Sequence, residues 1–252
     1  EMKYAKGFGS RDLKANLPAT YRTMYGIGSC TKSFTALAIM KLVEDDRLNL
    51  DDNINNYLEI DLGLEDNPIT INNLLTHSSG IPSLGVSEVL IARLIDLEER
   101  GVPLGSTDDF YRHLELAKEE IADVPGERFF YFNSGYNLLG KIIEDVTEVP
   151  FSKFIRKNIL EPLDMKRSGF LAGDDDFMTP YFNREEGVTP TELPQREIGY
   201  PAGGLLSSVD ELSHYLLMNM NGGVFGEEQI ISEDNLNEMF KGHIKREHGQ
   251  YG

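Results

Sequence analysis

The sequence predicts a mixed α/β protein of the α+β type, in which a helical lobe is inserted into a lobe that contains a sheet. Two observations carry this prediction: strand-like stretches are confined to the two ends of the chain, and helical periodicity fills its middle. The sheet lobe is expected from about 1–46 together with about 199–252, and the helical lobe from about 47–198. A chain of 252 residues can bury the core that such a domain needs.

The composition is typical of a soluble globular protein, because 40% of the residues are hydrophobic and 10% are aromatic. No apolar run approaches the roughly 20 residues that span a bilayer, so we expect no membrane-spanning segment. A net charge of −18 argues against nucleic acid and anionic lipid as partners. The single cysteine, Cys30, excludes an intramolecular disulfide. No signal peptide is recognisable, and we expect the given chain to begin within an element, so the compartment stays open.

Helix signals dominate the first half of the chain after an opening stretch, 1–12, that is expected to end a strand. Residues 29–46 are an apolar run of good helix formers that begins at a favoured N-cap type. The turn-rich residues 47–58 lead to a helix start at 70–75, and 78–80 mark its end.

The second half continues with apolar residues at helical spacing, which predicts helices over 86–99, 107–121, 138–146 and 151–160. Residues 171–198 carry Asp, Pro and Gly with little periodicity, and we expect a long loop that borders the functional site. The last two predicted helices cover 210–220 and 232–240.

The first predicted helix opens on a serine and a lysine three residues apart. Ser29 and Lys32 would therefore lie on one face of the helix. A hydroxyl is a poor nucleophile until a base removes its proton, and a lysine whose pKa is lowered by burial can be that base. The alternative is a capped helix with a lysine in its first turn. A cation is electrostatically misplaced there, and the helix is too apolar for a surface element, so we favour the catalytic interpretation.

A second group of polar residues lies in 125–140, where a Pro-Gly turn precedes Tyr131, Asn133 and Tyr136. A phenol near Ser29 could relay a proton, and an asparagine amide could hold a substrate carbonyl. The alternative is that both tyrosines are half-buried aromatics with hydrogen-bonded hydroxyls.

A histidine, the cysteine and two glycines are expected to have structural roles. His77 follows a helix end, and we expect it to hydrogen-bond the last carbonyls of that helix rather than to join a serine–histidine triad. Cys30 is expected to be a small buried hydrophobe. Gly203 and Gly204 are expected to let the backbone pass close to a packed helix or to substrate. No metal-ligand motif or phosphate loop occurs, so we predict no metal and no other cofactor.

Several stretches in order resemble one enzyme family. GIGSCTKSFTALAIMKLVEDDRLNLDD is similar to an S-x-x-K helix, ITINNLLTHSSGIP to the signature helix that follows it, and PGERFFYFNSGYNLLGKIIEDV to a Y-x-N block. ILEPLDMKRSGF and PAGGLLSSVDELSHYLL continue the order, so the resemblance covers most of 20–220. The chain is identified as a member of the serine β-lactamase and penicillin-binding-protein-like hydrolases, in the branch with class C β-lactamases, D-aminopeptidases, D,D-carboxypeptidases and esterases.

This resemblance implies a β-lactamase-like fold, in which an antiparallel sheet is flanked by helices and the active site lies in the cleft beside the helical lobe. It implies that Ser29 is the acylated nucleophile, that Lys32 activates it and that Tyr131 assists proton transfer, with the division of labour between the last two left open. Asn133, Gly203 and Gly204 would contact substrate. The expected partner is a small-molecule or peptide substrate, and homo-oligomerisation stays open.

The third motif of the family, K-T-G or H-x-G on a strand that edges the cleft, is not found; 243–245 and 248–250 do not fit it. In the family this strand supplies a backbone donor to the oxyanion hole, and one such donor is worth about 10²–10³ in rate. We expect the chain to be part of a longer protein that holds the missing strands.

Three functions follow as hypotheses. The first is a serine hydrolase that acts on a small amide, an ester or a peptide, including peptides with D-amino acids. The second is a β-lactamase or penicillin-binding D,D-peptidase. The third is a catalytically silent scaffold or binding protein with this fold.

Overall fold

The fold is built around one buried helix, α1, which runs over Thr31–Glu44. Leu37, Ala38 and Ile39 are consecutive in the chain, and each is fully buried. A helix that buries neighbouring residues in this way lies inside the core and not on its surface. The prediction that this helix is too apolar for a surface position is therefore confirmed.

The computed structural model describes residues 4–82, 107–173, 176–184, 187–193, 196–246 and 249–251. The other α-helices of these residues are α2 (Ile71–Leu75), α3 (Thr107–Glu115), α4 (Asn133–Thr147), α5 (Phe151–Ile155), α6 (Tyr200–Gly203), α7 (Val209–Met220) and α8 (Glu233–Phe240). A π turn over Arg156–Leu160 continues α5, and 3-10 turns cover Gly28–Cys30, Ile54–Asn56, Leu116–Glu120 and Glu197–Gly199. Helix α1 packs against α4, α6 and α8.

The strands are short and pair antiparallel, two by two, in the part of the chain that the structure describes. The pairs are β1 (Ser10–Asp12) with β2 (Leu17–Pro18), β3 (Tyr25–Gly26) with β6 (Leu206–Ser207), β4 (Tyr181–Arg184) with β5 (Gly187–Pro190), β7 (Val224–Phe225) with β8 (Glu228–Gln229), and β9 (Ile244–Arg246) with β10 (Gly249–Tyr251). The β3–β6 pair has the longest chain separation. It joins the residues just before α1 to those just before α7.

The predicted helices differ from the observed ones mainly at their boundaries. Helix α4 begins at Asn133 rather than at 138, because its first residues, Asn133 to Gly135, are weak helix formers that hide the start. The prediction of a featureless loop over 171–198 is wrong in part, since β4 and β5 form a hairpin there. Its strands are too short for their alternation to be recognised. The helix predicted over 86–99 lies outside the described residues.

No helix in the described ranges combines the length and the apolar character that a membrane crossing requires.

A buried carboxylate ties α7 to the segment that precedes β4. Glu211, in the first turn of α7, is 6% exposed. Its carboxylate accepts hydrogen bonds from the Arg167 N–H at 2.8 Å, the Ser168 N–H at 2.7 Å and the Ser168 hydroxyl at 2.5 Å. A buried charge is tolerated when several donors and a helix N-terminus surround it.

We expect Glu211→Ala to lower the free energy of unfolding by about 2–4 kcal/mol, because two backbone N–H groups lose their acceptor. Urea denaturation measures the change. The control is Glu233→Ala, which removes an exposed acid from the first turn of α8 and should cost less than about 1 kcal/mol. Equal losses in the two variants would contradict this account.

Candidate active site

Ser29 lies on a tight turn that leads into α1. Gly28 has a φ of +52°, a conformation that favours glycine, and it is the first residue of the 3-10 turn Gly28–Cys30. Thr31 holds the turn from both sides: its hydroxyl donates to the Gly28 carbonyl at 2.7 Å and accepts from the Leu205 N–H at 3.1 Å. The side chain of Ser29 is left exposed at the mouth of the core. Ser29 is not the N-cap that the sequence predicted, since the turn displaces the α-helix start to Thr31 and Cys30 is the N-cap residue.

Lys32 lies beneath Ser29 and is 4% exposed. Its Nζ donates to Asn133 Oδ1 at 2.8 Å and to the Ala202 carbonyl at 2.6 Å, and it lies 3.3 Å from Ser29 Oγ. Burial lowers the pKa of the amine to about 8. In the neutral amine, the two N–H groups are used by the two carbonyl acceptors, so its lone pair is available to the Ser29 hydroxyl.

Tyr131 is the second side chain in contact with the Ser29 hydroxyl. Its hydroxyl donates to Ser29 Oγ at 2.8 Å, and its ring centroid lies 5.0 Å from Lys32 Nζ. Tyr131 lies two residues before α4, and it is partly exposed. The structure thus brings together the serine, the lysine and the tyrosine that the sequence singled out. Tyr136 fits the structural alternative instead, because it is buried and donates to the Leu75 carbonyl at 2.8 Å.

The predicted substrate-contacting residues border this group. Asn133 is the first residue of α4 and its amide oxygen is held by Lys32. A Cβ added to Gly203 would lie 3.6 Å from the Gly28 backbone, so α6 passes directly behind the serine turn. At Gly204 an added Cβ would meet Tyr200 at 2.8 Å. The close packing expected of both glycines is present, while contact with substrate stays a prediction.

Ala202 contributes its backbone carbonyl to the site, and the sequence analysis did not predict this. Its carbonyl oxygen makes the shortest contact of the Lys32 amine, and its residue name carries no chemical signal. The neighbouring glycines at 203 and 204 gave the one available indication, since they marked a place where backbone comes close to another group.

Two structural interpretations require correction. Cys30 is exposed, because the 3-10 turn keeps it outside the core; the prediction of a small buried residue is wrong. The side chain of His77 does not hydrogen-bond the carbonyls of α2; only its backbone N–H does, donating to the Leu74 carbonyl at 3.3 Å. Its Nδ1 accepts the Phe132 N–H at 3.0 Å, because a φ of +56° turns the residue away from the helix.

His77 is a neutral, buried residue. It is 1% exposed, and desolvation together with the nearby Lys32 charge lowers its pKa to about 3. It therefore cannot act as a cation at the end of α2.

A cavity of about 290 Å³ opens beside Ser29 and Lys32. Its lining is largely apolar and comes mainly from α1, α2, α7 and α8, together with Tyr136 of α4 and Tyr251. Among the described residues there is no cluster of three or more His, Cys, Asp or Glu side chains that could hold a metal ion.

Comparison with known proteins identifies the family and the fold of the chain. The family model described as Beta-lactamase matches residues 1–249. The chain belongs to the β-lactamase family. The expected β-lactamase-like fold is confirmed by a solved structure of an octameric penicillin-binding protein homologue from Pyrococcus abyssi, with a TM-score of 0.90 at 41% sequence identity, over 100% of this chain and 57% of that one.

Two curated relatives cover most of the chain. Protein flp of Staphylococcus aureus (strain MRSA252) is 31% identical over 226 residues, which are 86% of this chain and 42% of the relative. The putative penicillin-binding protein PbpX of Bacillus subtilis (strain 168) is 32% identical over 227 residues, 88% of this chain and 53% of the relative. The chain thus spans about half the length of these family members.

The low pKa of His77 predicts a specific pH dependence of stability. The folded value of about 3 lies below the usual value near 6.5, so the unfolded chain binds the proton first as the pH falls. The stabilisation is complete above about pH 6.5 and is lost progressively towards pH 3. His77→Asn should remove this contribution, which changes by up to about 1.4 kcal/mol per pH unit.

The measurement is the difference in unfolding free energy between the wild-type chain and His77→Asn at several pH values. Taking the difference cancels the contribution of the many carboxylates. A difference that is constant between pH 4 and pH 7 would show that His77 titrates normally in the folded state.

Proposed function

We propose that the protein is a serine hydrolase that forms an acyl-enzyme on Ser29 and hydrolyses a small amide, an ester or a peptide, including peptides with D-amino acids. The observation that carries the proposal is the position of Ser29 Oγ, 3.3 Å from Lys32 Nζ and 2.8 Å from the Tyr131 hydroxyl. An exposed nucleophile between a buried amine and a phenol is the arrangement that activates a hydroxyl for acyl transfer. Membership of the β-lactamase family supports the same class of reaction.

In the first step Ser29 Oγ attacks the substrate carbonyl. The Oγ–C bond forms as the Ser29 proton moves to the neutral amine of Lys32, which has its lone pair towards the hydroxyl. The bond from the carbonyl carbon to the leaving nitrogen or oxygen then breaks, and the proton passes through Lys32 and Tyr131 to that leaving atom. Water cleaves the resulting ester and regenerates Ser29.

The start of α1 supports the negative charge that develops on the carbonyl oxygen. N–H groups in the first turn of a helix have no intrahelical acceptor, and Ser29 lies in the turn that opens this helix. Its backbone N–H is the candidate donor for the oxyanion, assisted by the positive end of the helix dipole. We assign to Asn133 the donation of its amide N–H₂ to a substrate carbonyl, since its amide oxygen is already used by Lys32.

The second candidate is a β-lactamase or a penicillin-binding D,D-peptidase. It is favoured by the relatives from Pyrococcus abyssi and Bacillus subtilis, which are described as a penicillin-binding protein homologue and a putative penicillin-binding protein. Both candidates share the acyl-enzyme on Ser29, and they differ in how long a penicilloyl group stays attached. The Pyrococcus abyssi homologue is octameric, so we also propose self-association for this protein, which light scattering measures directly.

We expect a fluorophosphonate to add its mass to the wild-type chain and not to Ser29→Ala. Intact mass spectrometry detects the adduct after each chain has been exposed to a fluorophosphonate or, separately, to a penicillin. Ser33→Ala is the matched control, because Ser33 lies one turn after Ser29 and its hydroxyl bonds to the Cys30 carbonyl and to Tyr215, not to Lys32 or Tyr131. Rapid loss of a penicilloyl adduct indicates a β-lactamase, and a persistent adduct indicates a penicillin target. A wild-type chain that gives no adduct would favour the catalytically silent scaffold.

The rate of Ser29 acylation should rise with pH and level off above about pH 8, because the reactive form of Lys32 is the neutral amine. Between pH 6 and pH 7 the fluorophosphonate reaction should accelerate about tenfold. Lys32→Arg, which stays charged, should abolish the rise and most of the rate. Lys153→Arg changes an exposed lysine of α5 and should leave the profile unaltered. An unchanged profile in Lys32→Arg would exclude Lys32 as the base.

A further inference from the structure

Hydrogen bonds join the turn 75–78 to residues 126–136, which include Tyr131 and the start of α4. The Gly126 N–H donates to the Ser78 carbonyl at 2.7 Å, and the Tyr136 hydroxyl donates to the Leu75 carbonyl at 2.8 Å. Between these two contacts lies His77, which uses both its main chain and its side chain towards the same segment.

His77 holds the residues on either side of Tyr131. Its carbonyl oxygen accepts the Phe130 N–H at 2.8 Å, and its Nδ1 accepts the Phe132 N–H at 3.0 Å. In an extended segment the N–H groups of alternate residues point to the same side, so one residue in the left-handed conformation can accept both. The ring of His77 also lies against that of Tyr131, with centroids 4.4 Å apart.

Two features of His77 indicate that its conformation serves these hydrogen bonds to Phe130 and Phe132. His77 has a φ of +56°, which is strained for a residue other than glycine and persists only where the surroundings require it. Its Nε2 is buried and has no hydrogen-bond partner among the described residues. Since Nδ1 accepts a hydrogen bond from the Phe132 N–H, the ring proton resides on Nε2, and this N–H stays unpaired while Nδ1 serves as the acceptor.

We propose that His77 is a positioning residue for Tyr131, and that its Nδ1 acceptor sets the 2.8 Å contact between the phenol and Ser29 Oγ. This inference rests on the proposed acyl transfer for its kinetic consequence, but its geometric content is independent of activity. A small displacement of a proton-transfer group is enough to slow the reaction strongly.

The kinetic test compares His77→Leu with His77→Asn. Leucine has no hydrogen-bond acceptor, so the second-order rate constant of Ser29 labelling by a fluorophosphonate should fall ten- to a hundredfold. The maximal labelling rate should fall, while the fluorophosphonate concentration for half-saturation should stay the same. Asparagine tolerates a positive φ and can present Oδ1 near the position of Nδ1, so it should stay within about threefold of wild type. Ser78→Ala disturbs the same buried turn without touching Phe130 or Phe132 and should also stay within threefold.

A double-mutant comparison decides whether His77 acts through the tyrosine. In a Tyr131→Phe background the phenol is already lost, so His77→Leu should have no further effect on the labelling rate. Full additivity of the two substitutions would overturn the proposal and leave His77 as a residue of the general core.

A measurement on the wild-type chain separates this inference from the proposed function and avoids variants that fail to fold. The ¹⁵N chemical shifts of His77 should show an unprotonated Nδ1 and a protonated Nε2 at pH 7, and the Phe132 amide should be strongly protected from hydrogen exchange. A protonated Nδ1 or a rapidly exchanging Phe132 amide would overturn the positioning role, whether or not Ser29 is reactive. If the His77 tautomer and the Phe132 protection are as expected and Ser29 is not acylated, the proposed function is wrong. The hydrogen bonds of His77 to Phe130 and Phe132 are then still supported.

Discussion

The burial of the Lys32 amine between two carbonyl oxygens is the constraint on which the rest of the site depends. An ammonium ion in this position loses most of its hydration, which is why its pKa falls to about 8. Asn133 and Ala202 replace only part of that hydration, and they leave one direction of the amine for Ser29. The same desolvation that costs stability therefore produces a base beside an exposed hydroxyl.

Close packing of α6 against α4 and α1 positions the Ala202 carbonyl, which is the second acceptor of the Lys32 amine. A Cβ at Gly140 of α4 would lie 2.1 Å from Pro201, so only glycine allows α4 and α6 to approach this closely. The hydroxyl of Thr35 donates to the Pro201 carbonyl at 2.8 Å and fixes α6 on α1 as well. Ala202 follows Pro201 directly, and its carbonyl is thereby held over Lys32. The site is accordingly rigid on the side of the base, where both partners belong to packed helices.

Tyr131 is held in place in a different way from Lys32. Tyr131 lies on an extended segment with no helix or sheet ladder of its own, and its position depends on hydrogen bonds to the turn at 75–78. Such a segment needs acceptors from elsewhere in the chain, because its backbone N–H groups are otherwise unpaired. His77 provides two of them, which explains why a strained, uncharged histidine occurs where a helix ends.

The sequence by itself determined the helical character of the core, the order of the described helices and the residues to which we assign the proposed chemistry. Ser29 and Lys32 were recognisable because three residues of spacing place two side chains on one helix face. Tyr131, Asn133 and the glycines at 203 and 204 needed the resemblance to a family, since nothing local relates them to Ser29. Only the tertiary structure decided that Ala202 contributes a carbonyl, that Cys30 is exposed and that His77 faces Phe132 instead of its own helix. These are contacts between segments far apart in the chain, and local periodicity and capping signals contain no information about which distant groups meet.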